Sequence, residues 1–134
     1  MKHFYVIMCA VLLTGCATME PSPSSVRGTY PLATWPGSEV ITTVRGGSLH
    51  YSSGCLLFRD ADKRDFVPVF TDGSRFDGRV VAVVQPGGER VIGLGQRITI
   101  EGDGKEWSSV PPGYNLSAFQ KRCSVSPFFI THTK

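Results

Sequence analysis

The sequence is short of charge imbalance, histidine, cysteine and long apolar runs. Fourteen Lys and Arg face eleven Asp and Glu, a formal +3, with the two signs interleaved, as in Asp60-Ala61-Asp62-Lys63-Arg64-Asp65. Without a basic stripe there is no footprint for nucleic acid, and a mixed, solvated surface is expected. The longest apolar run, Phe4 to Leu13, is too short to span a bilayer, which takes about 20 residues. Nothing reads as a helix long enough for a βαβ crossover, which argues against parallel-sheet folds.

Catalytic patterns are missing as well. Ser52 and Ser53 near His50 lack a nucleophile elbow. Gly93-Leu94-Gly95-Gln96 lacks the Gly-Lys-Ser/Thr ending of a phosphate loop and is better read as a glycine bend between strands. Asp60-x-Asp62 starts like a calcium loop, but Arg64 stands at a ligand position and no turn glycine follows. His50, Cys55, Cys123 and His132 match no zinc spacing. The eleven acids contain no pair that selects itself for glycoside chemistry. The reading is of a non-catalytic chain with no cofactor and no metal.

What is present begins at the N-terminus. Lys2 precedes the apolar run Phe4–Leu13, and small residues follow, the order of a secretory signal. Leu13-Thr14-Gly15-Cys16 resembles the lipobox of bacterial lipoproteins. That resemblance implies cleavage before Cys16, a diacylglycerol on its thiol and acylation of the new amine. One chain anchors marginally and two or three hold firmly. Ala17 in place of aspartate implies, by the sorting rule of Gram-negative lipoproteins, the periplasmic face of the outer membrane. In a Gram-positive source the anchor would be the plasma membrane.

Loss of residues 1–15 removes Cys9, and lipid consumes Cys16. Cys55 and Cys123 remain in an oxidising compartment, where a disulfide between them is the natural pairing, with two buried free thiols as the alternative. It would close a loop of about 70 residues, worth about 4 kcal/mol in the chain-entropy model.

Residues 16–35 read as a lipidated N-terminus and tether, because Ala17-Thr18-Met19-Glu20-Pro21-Ser22-Pro23-Ser24-Ser25 is rich in proline and serine. Residues 36–134 read as one small all-β domain. Strands are expected at Val40–Val44, Ser48–Tyr51 continuing through Cys55–Arg59, Phe66–Thr71, Arg79–Gln85, Arg90–Leu94, Gln96–Glu101 and Phe128–His132. Arg97-Ile98-Thr99-Ile100-Glu101 alternates, so Ile98 and Ile100 should face the core. The unbroken Val80-Val81-Ala82-Val83-Val84 should be covered on both sides. One short helix is expected at Leu116–Lys121, with Asn115 as its N-cap. The fold expected is a small antiparallel barrel, OB-like first, with an up-and-down barrel and a sandwich behind it.

Trp35, Trp107 and Tyr114 lie near turns. They either line a sugar- or protein-binding surface at one end of the barrel or cap its core. The function expected is a membrane-anchored envelope lipoprotein whose domain binds or scaffolds an envelope protein, the cell wall or a lipid. The alternative is an inhibitor or immunity protein against a periplasmic hydrolase or toxin. Small β-barrel lysozyme inhibitors are similar in build. Their Ser-Gly-x-x-Tyr loop is not matched here, the nearest approach being Ser53-Gly54-Cys55.

Overall fold

The computed structural model describes residues 23–38, 41–114 and 116–134. Among these, the strands are β1 (Thr34–Trp35), β2 (Thr43–Ser52), β3 (Cys55–Asp60), β4 (Asp65–Thr71), β5 (Arg75–Phe76), β6 (Val80–Gln85), β7 (Gly88–Gly93), β8 (Arg97–Gly104) and β9 (Pro127–Thr133). The helix α1 spans Ser117–Arg122. Leu116 precedes it without a side-chain cap, and Asn115, the expected cap, lies outside the described residues.

Five strands close a barrel in the order β4-β3-β2-β8-β9, with β9 pairing back to β4. This is the OB-like arrangement expected from the sequence. Every neighbouring pair is antiparallel except the closing seam, where Val67–Val69 runs parallel to Pro127–Phe129. An odd number of strands cannot alternate in direction all the way round a ring, so one parallel pair is unavoidable. The long excursion through β5–β8 supplies the crossover that a helix would otherwise provide. The β2–β3 hairpin turns at Ser53 and Gly54, both at positive φ (52° and 79°), the twist that a two-residue hairpin requires.

The strand expected at Val40–Val44 joins Ser48–Tyr51 in one strand, β2, running through Gly46-Gly47, and the expected continuation through Cys55–Arg59 is instead a second strand, β3, folded back on it. Val40 itself lies outside the described residues. The two glycines let one long strand bend. A Cβ on Gly47 would run into the backbone of Arg59, and one on Gly102 into the carbonyl of Phe129. At the second point the β8–β9 register shifts between Glu101 and Gly102. Glycine at these two bends lets neighbouring backbones close the barrel.

The bore is filled by Leu49, Phe58, Phe70, Ile98, Ile100, Phe128 and Ile130, all at most 3% exposed. Ile98 and Ile100 thus face inward as their alternation requires. At one end β5, β6 and β7 form a separate small sheet. Its Phe76, Val81, Val83 and Ile92 extend the same core. Val81, Ala82 and Val83 are all buried, so β6 is covered on both faces. At the other end Arg45 closes the bore, lying 4.7 Å over the Phe66 ring and bonded to Asp60.

The packed unit begins earlier than residue 36. Val26, Ala33 and Trp35 are buried. β1 pairs with Phe70–Thr71, and the Phe70 N–H donates to the Ala33 carbonyl at 2.9 Å. The Arg75 guanidinium donates to the carbonyls of Val26 (3.0 Å) and Pro23 (2.9 Å). The described part of the stretch read as tether is therefore a strap on the domain. Its apolar residues, Val26, Leu32, Ala33 and Trp35, follow no period of 2 or 3.6, so periodicity did not reveal them. They seat one by one in gaps that other elements create.

Candidate binding surfaces

The sequence-derived candidates fall into three places. Cys16 lies outside the described residues. Cys55 opens β3 and Cys123 ends α1, and they are joined as a disulfide with Cα atoms 5.9 Å apart. The bond ties the β2–β3 hairpin to the long β8–β9 connection.

Trp35, Trp107 and Tyr114 come together in a second hydrophobic cluster on the outside of the barrel. Trp35 packs edge-on to Phe129 with centroids 5.1 Å apart, and Tyr114 approaches the same ring at 6.2 Å. Trp35 Nε1–H donates to the Ile130 carbonyl at 2.9 Å, and Trp107 Nε1–H to the Val125 carbonyl at 2.8 Å. Trp35 is buried, and the other two are half-buried. They roof the outward residues of β4 and β9 (Val67, Val69, Phe129), and Tyr114 also lines a cleft of about 330 Å³ with Pro31, Leu32, Thr34, Leu116 and Phe119. The signal was in the sequence. Phe66-Val67-Pro68-Val69-Phe70 is apolar without alternation, the pattern of a strand covered on both faces, and the cover has to come from somewhere.

The acidic group Asp60, Asp62, Asp65 divides by role. Asp60 is 7% exposed and organises the β3–β4 turn. Its carboxylate accepts the backbone N–H groups of Asp62 and Arg64, both at 2.9 Å, and the Arg45 guanidinium at 3.0 Å. The Arg64 N–H bond, with the Asp62 N–H and the two guanidiniums behind it, holds Asp60 below the ordinary carboxylate value despite burial. Asp65 accepts from Arg59 Nε and Nη2 (2.9 and 3.1 Å) and faces His50 Nε2 at 3.1 Å. The Arg59 bond is the main cause of its lowered pKa. Asp62 is exposed and bonded to Arg64. These are turn and strand fastenings. His132 stands apart on β9, its Nδ1 buried without a hydrogen-bond partner.

A trough of about 570 Å³ lies over the outer face of β2 and β8. Gly46, Gly47 and Ser48 make its floor. Arg59, Asp60 and Ala61 form one wall, Arg97 and Thr99 the other, and Lys134 closes the end. Thr99 and Lys134 exchange both backbone bonds (3.0 and 2.8 Å), which fixes the end wall. Lys134 Nζ bridges Glu101 at 3.0 Å, and Arg59 is held by Asp65. Arg97 is exposed. A floor of two glycines and one serine between cations admits a chain or headgroup close to backbone and offers charge-assisted bonds to anionic oxygens.

A second exposed feature is a pair of tyrosines at the end closed by the small sheet. Tyr30 and Tyr51 are 42% and 39% exposed. Their centroids lie 5.7 Å apart, and both rings contact Phe76, at 5.5 and 5.7 Å. Sequence reasoning passed over both. Tyr30 sat in the stretch read as tether, and Tyr51 read as an ordinary strand residue. Comparisons with protein families, curated proteins and solved structures find no match to this chain.

Proposed function

We propose that this chain is a lipid-anchored envelope protein whose barrel binds a partner and does not turn it over. The anchor part rests on Leu13-Thr14-Gly15-Cys16. The Cys55–Cys123 bond supports an oxidising compartment. The observation that carries the binding part is the trough, a glycine floor flanked by Arg59, Arg97 and Lys134. Its chemistry suits a negatively charged envelope partner, a protein segment or a cell-wall polymer. A rigid barrel that presents such a surface on a membrane anchor is a scaffold or a receptor.

The test uses the full chain expressed in a Gram-negative cell. Radiolabelled palmitate should enter the protein, and Cys16→Ser should abolish both the label and membrane fractionation. Crosslinking in intact envelopes should capture a partner, and Arg97→Ala should weaken capture severalfold without lowering thermal stability. A labelled protein that captures nothing beyond what a lipidated control lacking the barrel captures would refute the binding role. A Cys16→Ser protein that still takes up palmitate would refute the anchor.

A further inference from the structure

We propose that the end of the barrel closed by β5, β6 and β7 lies against the phospholipid headgroups, with Tyr30 and Tyr51 at the contact. This deepens the proposed function and rests on Cys16 as the lipid site.

The first observation is that Pro23 sits at the end of the domain that the small sheet closes. The strap that starts at Pro23 is fastened to the small sheet. Arg75, on β5, holds the Val26 and Pro23 carbonyls, and its guanidinium is itself held by Glu89 of β7 at 3.2 Å. Val26 is 3% exposed, and the Tyr30 N–H donates to the Phe76 carbonyl at 3.0 Å.

The second is length. Six residues separate Cys16 from Pro23. Even fully extended, that stretch spans at most about 25 Å, and as a flexible coil roughly 15 Å. This is less than the roughly 34 Å diameter of a compact domain of about 110 residues, so the end that carries Pro23 cannot swing far from the lipid. A tether running to residue 35, as the composition suggested, would have left the orientation open.

The third is what that end exposes. Tyr30 and Tyr51 form an edge-to-face pair at the rim. Tyrosine partitions to the headgroup region because its ring is apolar and its hydroxyl is wet. The pair is held rigid by Phe76 beneath it and by the Gly78 backbone, where a Cβ would strike the Tyr30 ring. Arg27 on the strap and Arg79 beside Gly78 are both exposed at this end, and cations there favour anionic headgroups.

The experiment reconstitutes the lipidated full chain in phosphatidylethanolamine–phosphatidylglycerol vesicles containing brominated lipid. Tryptophan is introduced at one of two exposed sites, Tyr30→Trp or Val44→Trp on the side of the barrel, with the wild-type signal of Trp35 and Trp107 subtracted. Tyr30→Trp should lose most of its added fluorescence to the bromine, and Val44→Trp should keep its own. Doubling the 17–22 stretch with glycine and serine should restore the Tyr30→Trp signal. Equal quenching at the two sites, or quenching unchanged by the longer linker, overturns the orientation. Mass spectrometry of the Cys16 peptide separates the failures. An unlipidated Cys16 overturns the anchor and this inference together. A lipidated Cys16 with an unquenched Tyr30→Trp overturns this inference alone.

Discussion

The Arg45 guanidinium donates to the Asp60 carboxylate across 3.0 Å and closes the end of the barrel bore opposite the small sheet. The same guanidinium stacks over Phe66 and lies 5.9 Å from the Phe128 centroid. Removing one partner of such a pair leaves the other uncompensated, whereas an apolar residue of similar shape fits the aromatic surroundings. Arg45→Met keeps an apolar stem over Phe66 but leaves the buried Asp60 carboxylate with only Arg64 and two backbone N–H partners, so it is expected to destabilise, and Asp60→Ala more so because the turn also loses its acceptor. Asp62→Ala, at an exposed site on the same turn, should change little. Urea midpoints of the three variants decide this.

The acid limb of stability should depend on Asp60, Asp65 and Asp77. All three are held below the ordinary value of 3.8, chiefly by the Arg64 N–H, the Arg59 guanidinium and the Val80 N–H respectively. A carboxylate with a lowered folded pKa adds stability that is fully present above its unfolded value. That stability is lost as pH falls through the lower folded value. The denaturation midpoint should be level above the ordinary carboxylate range and drop below it. Asp65→Asn and Asp77→Asn should each flatten the drop, as read from urea titrations across the acid range.

Breaking the Cys55–Cys123 bond should cost about 4 kcal/mol, because it closes a loop spanning 68 residues. Equilibrium unfolding of the Cys55→Ser/Cys123→Ser double variant against the oxidised protein measures it. The reduced wild type should match the double variant.

The two barrel-bend glycines should be intolerant and their neighbour tolerant. Gly102→Ala must push the Phe129 carbonyl aside, which costs about 1–3 kcal/mol or more. At Gly46 a Cβ meets nothing within 4 Å, so Gly46→Ala should stay within about 0.5 kcal/mol. Thermal midpoints of the pair test whether the glycines serve closure or general flexibility.

Trp35→Ala should cost about 3–5 kcal/mol, the range for emptying a large buried aromatic site. It also frees the Ile130 carbonyl that Trp35 Nε1 now satisfies. A chain lacking residues 23–35 should be less stable still, since it also loses β1 and the Arg75 fastenings. Either result read by chemical denaturation places the strap inside the folding unit.

Much of the barrel was legible because its signals are local. Alternation at Arg97–Glu101 gave the inward pair Ile98 and Ile100, whereas the hairpin turn at Ser53-Gly54 fell inside a stretch that the sequence reads as one continuing strand. The unbroken valines gave β6 its two covered faces. Composition also carried the cysteine pairing, once Cys9 and Cys16 were set aside. The candidate sites were less legible. Trp35, Trp107 and Tyr114 looked alike as turn aromatics, yet what they face depends on β4 and β9, which lie far away in sequence.

The sequence by itself determined an all-β chain with one short helix near its C-terminus and Cys55 and Cys123 as the natural disulfide pair. Pattern, turn chemistry and cysteine count act over a few residues each, and they need no partner in space. Tertiary structure decided the parallel seam between β4 and β9, the burial of the strap and the glycine-floored trough. It also decided which end of the barrel carries Pro23. Each of these depends on contacts between segments tens of residues apart, where ring closure and packing override local preference.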